Sequence, residues 1–318
     1  MPEGGGFVSL RAMTAPRIAV GPRPADFATD AIVAAGGTLV ELADAPDALV
    51  WLDPLDVTGL GKWLAEAPRL KWVQLPFAGV ELVANEGLLD RDRIWTCAKG
   101  SYAEPVAEHA LALGLAGLRH LPTRVKARSW GTPAGTSLYD QRVTIVGGGG
   151  IAASLLEQLA PFRVEATVVR RQREPVPGAV RTVPVAELDS VLPGSLLIFL
   201  ALALTPETTG IIGSRQLALM DDTAWLVNVA RGGHVDTGAL VEALSAGSIA
   251  GAALDVTDPE PLPDGHPLWD LPNCIITPHT ADTIEMVRPL LADRIRTNVR
   301  RFAAGKALVG LVDPEAGY

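Results

Sequence analysis

Cysteine is nearly missing from this sequence. Cys97 and Cys274 are the only two, far apart and without CxxC spacing, which argues against a disulfide scaffold or a zinc site and fits a reducing cytoplasm. No metal site is expected. Runs of basic residues are also missing: no stretch of Lys or Arg exceeds two, and 27 basic against 36 acidic side chains leave a formal charge of −9. That excludes a nucleic-acid footprint and a polybasic membrane patch. The longest apolar runs, 110–118 and 196–204, are about half a membrane span. The opening Met1-Pro2-Glu3-Gly4-Gly5-Gly6 has no basic segment leading into an apolar core, so a signal peptide is not expected. Residues 1–16 read as a flexible tail, with Met13 as an alternative start. Lysine is sparse as well, at positions 62, 71, 99, 126 and 306, so arginine supplies most of the positive charge.

What is present is apolar material in a regular rhythm. With 318 residues, 48% of them hydrophobic, the chain is long enough for two domains at about 150 residues each. Short apolar runs alternate with amphipathic stretches of helical length, the signature of parallel βαβ units. The first part predicts strands at 17–20, 38–42, 48–52 and 71–75, and a helix over 26–35 closed by Gly36-Gly37. A long apolar helix is expected over 106–118, buried or between domains. After a Gly- and Thr-rich loop a second series predicts six strands, at 143–146, 164–169, 196–200, 224–229, 250–255 and 274–277. This describes a doubly wound sheet. A final helix is expected over 285–304.

Val143-Thr144-Ile145-Val146 runs into Gly147-Gly148-Gly149-Gly150-Ile151-Ala152, which matches G-x-G-x-x-[G/A] between a strand and a helix. Gly147 permits the tight turn, Gly149 lets the amides of Gly150 and Ile151 approach a pyrophosphate at the helix N-terminus, and Ala152 allows close helix packing. About twenty residues further on, an NAD site wants a carboxylate for the ribose hydroxyls. Here the strand ends in Val169-Arg170-Arg171-Gln172-Arg173. Guanidinium groups pair with a 2′-phosphate and stack on adenine, so NADP is favoured over NAD. The plain alternative is a solvated arginine cluster, with Glu174 as a competing partner. Leu202, Ala203 and Ala230, which also follow strands, complete the candidate cofactor contacts.

Ligands of open parallel sheets bind beyond the carboxyl ends of the strands. Three polar residues stand out there. Arg231 follows Asn228-Val229, Glu260 follows Leu254-Asp255, and His279 follows Thr277-Pro278, with separations of 29 and 19 positions. Hydride transfer to a carbonyl needs a proton donor, a cation for the neighbouring carboxylate, and a group that favours the charged donor. His279, Arg231 and Glu260 suit those roles in that order. Taken singly, each has a dull alternative as a surface ion pair, a loop residue or a helix cap. The remaining histidines, His109 and His120 beside an apolar helix and His234 and His266 in loops, are read as structural or solvent-facing.

The stretches Leu226-Val-Asn-Val-Ala-Arg-Gly-Gly-His-Val-Asp236, Ala253-Leu-Asp-Val-Thr-Asp-Pro-Glu-Pro-Leu262 and Leu268-Trp-Asp-Leu-Pro-Asn-Cys-Ile-Ile-Thr-Pro-His279 resemble the D-isomer-specific 2-hydroxyacid dehydrogenase family. So do Leu204-Thr-Pro-Glu-Thr-Thr-Gly210 and the closing Val312-Asp-Pro-Glu-Ala-Gly-Tyr318. The resemblance implies an α/β chain in which a Rossmann dinucleotide-binding domain, 110–284, is inserted into a flavodoxin-like substrate-binding domain, 1–109 and 285–318. It also implies an active site in the cleft between them and a homodimer. Asp255 would contact the nicotinamide carboxamide, and Phe77-Ala78-Gly79 would hold the substrate carboxylate through backbone amides. Arg170 replaces the usual acidic residue, as in NADP-using members, and Asp282 stands where glycine is more usual.

Phosphoglycerate-type members carry an arginine near the position of Leu52, and its absence argues against a phosphorylated substrate. Trp51, Leu52, Leu75 and Phe77 suggest an apolar wall for glyoxylate, hydroxypyruvate or a modest 2-oxo acid, although Trp51 is equally readable as strand core. Formate-type members carry Gln beside the histidine, so Glu260 favours oxo-acid chemistry. The expectation is an NADPH-dependent reductase of small 2-oxo acids, close to glyoxylate/hydroxypyruvate reductases. NAD dependence and a non-catalytic dinucleotide sensor on the same fold are the alternatives.

Overall fold

The computed structural model describes residues 15–315; most of the expected tail and the alternative start at Met13 lie outside them. Two compact units divide between Tyr102 and Ala103 and again between Thr283 and Ile284.

The first unit contains β1 (Arg17–Gly21), α1 (Asp26–Ala34), β2 (Thr38–Leu39), β3 (Ala48–Trp51), α2 (Val57–Glu66), β4 (Trp72–Gln74), α3 (Glu81–Asn85) and β5 (Ile94–Thr96). Its five parallel strands are ordered β2-β1-β3-β4-β5. This is the flavodoxin-like order. Helix α2 starts where the Asp56 carboxylate accepts the Gly59 amide at 2.8 Å, satisfying one orphan donor of the first turn. β3 is buried along its whole length, as a central parallel strand covered on both faces should be. Trp51 belongs to that core, 1% exposed and edge-on to Trp63, and Leu75 is 3% exposed, so neither forms an accessible wall.

The second unit contains α4 (Ala103–Leu118), α5 (Leu121–Lys126), β6 (Arg142–Val146), α6 (Gly150–Leu159), β7 (Glu165–Arg170), β8 (Arg181–Pro184), α7 (Leu188–Val191), β9 (Leu197–Leu200), α8 (Ser214–Leu219), β10 (Trp225–Asn228), α9 (Thr237–Ala246), β11 (Gly251–Leu254) and β12 (Cys274–Ile276). The chain then returns to the first unit as α10 (Ile284–Ala303). Asn298 of α10 is buried there, donating to Gln74 Oε1 and the Val309 carbonyl, both at 2.9 Å, while Arg294 donates to the carbonyls of Cys97 and Lys99. These bonds return the last helix to the first unit through satisfied polar groups.

The seven parallel strands of the second unit are ordered β12-β11-β10-β9-β6-β7-β8, with the direction of winding reversing between β6 and β9. Register decides where the site lies. Val146 pairs with Val169 and Leu200, Leu200 with Asn228, Asn228 with Leu254, and Leu254 with Ile276. One rim therefore carries, side by side, the residues that follow each of these strands.

Three expectations are corrected. The second sheet has seven strands because Arg181–Pro184 adds an edge strand, and Ile94–Thr96 adds another in the first sheet. Both are short edge strands, and Arg181–Pro184 has only one fully buried residue, so the apolar signal is weak there. The strand expected over 38–42 stops at Leu39 and gives way to a 3₁₀ turn at Leu42–Asp44. The boundary expected at 109/110 falls inside α4, which begins at Ala103 and packs as one continuous helix against α6.

Candidate active site

The turn after β6 is held by a close approach. Gly147 has φ +121°, and a Cβ there would lie 2.0 Å from the Ala201 carbonyl oxygen, so only glycine lets the turn pass β9. At Gly149, the N-cap of α6, a Cβ would meet nothing within 4 Å. Open space at Gly149, at the N-terminus of a helix whose first amides have no partner within the helix, suits a pyrophosphate, and the residues present fit a dinucleotide. Arg170 lies beside Gly148 and its guanidinium donates to Gln172 Oε1 at 3.3 Å. Arg171 is on the same loop, close enough to Glu207 to help hold that carboxyl below its usual range, after the larger effect of Thr205. Arg173 is paired at 2.6 Å with Glu187, which also takes Arg181, and not with the expected competitor Glu174. β8 runs alongside β7 and delivers Glu187 to that place.

Arg231 opens the loop after β10. Asn228, 1% exposed, braces the loop by accepting the Ala230 amide at 3.0 Å and donating to the Arg231 carbonyl at 2.9 Å. A Cβ on Gly232 would fall 2.0 Å from the Thr257 backbone, so this position too requires glycine if the loop is to lie against the one after β11. His234, read from sequence as a loop residue, is completely buried. Its Nε2 lies 3.2 Å from the Ala203 carbonyl and its Nδ1 3.2 Å from the Arg231 amide. It ties the Arg231 loop to the segment holding Leu202 and Ala203, which follows β9.

Glu260 and His279 meet as expected from the sequence: Oε1 lies 2.6 Å from Nδ1. The pair is 41% and 43% exposed, so it is open to a ligand and to solvent screening. His279 sits at φ +49°, in the left-handed region that non-glycine residues rarely occupy. Behind it Asp255 has a side chain only 1% exposed. Its Oδ1 accepts the Thr277 hydroxyl at 2.6 Å and the Thr280 amide at 2.9 Å, and its Oδ2 accepts the Ala281 amide at 3.0 Å. Burial alone would raise its pKa, but His109, Thr277 and the two amides outweigh that and bring it down to about 2. The carboxylate is turned inward onto these donors.

Asp282 is a further ionisable group here. Burial pushes its carboxyl up and Asp255 adds to this, while the charges of His279 and Arg231 pull it down. Asp282 thus lies within electrostatic reach of both side chains. Sequence reading also missed His109, whose Nε2 is 3.1 Å from Thr277 Oγ1 and 3.3 Å from Asp255 Oδ1. Its position on an apolar helix gives no sign of these contacts, which only the fold reveals. In the first unit, Leu52 follows β3 and is partly buried, Phe77 and Ala78 follow β4 and are exposed, and Gly79 is partly buried beside them.

Comparison with known proteins agrees with this geometry. Residues 110–281 match the model of the D-isomer specific 2-hydroxyacid dehydrogenase NAD-binding domain. A glyoxylate reductase of Thermofilum pendens is 31% identical over 78% of this chain and 76% of its own length. A D-isomer specific 2-hydroxyacid dehydrogenase of Xanthobacter autotrophicus Py2, solved with NADPH and MES, superposes with a TM-score of 0.81 at 28% identity, covering 96% of this chain and all (100%) of that one. The NADPH-dependent glyoxylate/hydroxypyruvate reductase of Sinorhizobium meliloti, solved with NADP and sulfate, gives 0.79 at 26% identity over 96% and 100%. With a dinucleotide turn, a rim of Arg, Glu and His, and these relatives, the chain belongs to the D-isomer specific 2-hydroxyacid dehydrogenase family and is an NAD(P)-dependent oxidoreductase.

Proposed function

We propose that the protein reduces a small, non-phosphorylated 2-oxo acid of the glyoxylate or hydroxypyruvate type to the D-2-hydroxy acid, with NADPH preferred over NADH. The observation that carries this reading is the 2.6 Å Glu260–His279 pair on the same rim as Arg231 and the Gly147 turn. Glu260 accepts from Nδ1 of His279, which leaves Nε2 as the proton donor to the alkoxide that develops at C2. Arg231 holds the substrate carboxylate and polarises the oxo group. A bound reduced nicotinamide supplies the hydride.

NADPH preference rests on Arg170 at the end of β7, where a carboxylate would repel a 2′-phosphate. Arg171 and Arg173 add positive charge, the latter by exchanging its surface partner Glu187. The relatives solved with NADPH or NADP support the same choice. The working form is proposed to be a homodimer in the cytoplasm. Val125 and Trp130, 78% and 95% exposed on α5 and the segment after it, supply an apolar surface for a second copy. Both cysteines are free, and no helix among the described residues is long and apolar enough to cross a membrane.

The test is the absorbance of NADPH and NADH followed against glyoxylate, hydroxypyruvate, pyruvate and phenylpyruvate. Faster oxidation of NADPH than of NADH with glyoxylate or hydroxypyruvate is expected. Tight nucleotide binding without oxidation by any of them would replace the reductase with a dinucleotide sensor.

A further inference from the structure

His279 holds a left-handed backbone conformation that a non-glycine residue keeps only if its surroundings enforce it. The enforcement is visible on both sides. Before His279, Thr277 donates its hydroxyl to Asp255 Oδ1 at 2.6 Å. After it, the amides of Thr280 and Ala281 converge on the two oxygens of the same carboxylate. At His279 itself, the amide donates to the Asp255 carbonyl at 2.8 Å. Consecutive amides folded around one anion form a nest, and here the anion is a side chain of the protein.

The carboxylate has one further neighbour from outside the rim, His109 on α4. Nε2 of His109 is 3.1 Å from the Thr277 oxygen and 3.3 Å from Asp255 Oδ1. A hydroxyl offers one proton. An Nε2–H directed at the Thr277 oxygen occupies its lone pair and leaves that proton committed to Asp255. The direction of the chain is then His109 to Thr277 to Asp255, and Asp255 grips the residues on either side of the proton donor.

We infer that His109 is a positioning residue for the reaction, fixing the His279 imidazole through Thr277 and Asp255, so that helix α4 forms part of the proton-donor machinery. This rests on the reductase reading above. Mispositioning of a reacting group by about 1 Å costs up to about 100-fold in rate, and a relay two residues removed should cost less.

The experiment compares His109→Phe, which keeps an aromatic ring and removes the donor, with His109→Gln, which restores an N–H. In His109→Phe, kcat is expected to fall about 10-fold and its solvent deuterium isotope effect to rise, because proton donation becomes limiting, while the Kd for NADPH stays within about twofold. His109→Gln is expected to recover most of kcat. If His109→Phe does not fold, Thr277→Val cuts the same relay at its middle with the same expected split. An unchanged kcat and isotope effect would overturn the inference, since a residue that only packs would move neither. So would weakened NADPH binding with kcat retained, which would assign the network to the cofactor. The imidazole NMR signal of His279 reads the same relay without turnover. It should shift or broaden in His109→Phe and hold its place in His109→Gln. If the wild type oxidises no nucleotide, the reductase reading falls while this signal still decides the role of His109, and an unmoved signal contradicts it.

Discussion

His279 and Glu260 are each about two-fifths exposed, whereas the Asp255 side chain behind them is closed to water. That gradient divides the work. The exposed pair can reach a ligand and exchange protons, and its contribution to folding is screened. Asp255 is the reverse case, a buried charge stabilised by hydrogen bonds. Its folded pKa of about 2 lies below the usual carboxylate value, so its contribution is complete above pH 4 and is lost as pH falls toward 2. The size is on the order of 2 kcal/mol. Thermal melts of wild type and Asp255→Asn should therefore differ most near neutrality and converge as the pH approaches 2. A gap independent of pH would show that the carboxylate charge is not what the donors stabilise.

Among elements, the strands of the second sheet's interior were legible because each is a continuous apolar run between turn signals, and β9 and β10 are buried at every residue. Their ends then placed Gly147, Arg231 and His279 in register. Edge strands β5 and β8 were not legible, since a short half-exposed strand such as Arg181-Thr-Val-Pro184 lacks a period to detect. Glu260 and His279 could be paired from chemistry and spacing. His109 could not, because its partner Thr277 is 168 positions away and one polar residue on an apolar helix has no local signal of its purpose. The buried bridge at His234 was hidden for the same reason. The loop after β7 is proposed to carry the cofactor choice: Arg170→Asp is expected to raise the KM for NADPH about 10-fold or more and leave that for NADH equal or lower. Equal effects on both nucleotides would remove Arg170 from 2′-phosphate recognition.

At the scale of the whole molecule, an acidic chain of charge −9 carries positive charge at Arg170 and Arg231 on one sheet rim, where the proposed function has a phosphate and a carboxylate bind. An acidic net charge is compatible with local binding of a phosphate or a carboxylate. Assembly is tested separately. Trp130→Glu should shift the protein from dimer to monomer in light scattering after gel filtration, and an unchanged mass would place the dimer contact elsewhere. The central claim is that His279 delivers the proton in a reduction supported by Glu260 and Arg231. It is tested most directly by measuring kcat on the best 2-oxo acid and the Kd for NADPH in His279→Ala. A fall in kcat of about 1,000-fold or more with Kd within about twofold is the predicted result. Near-normal turnover in that variant would contradict it.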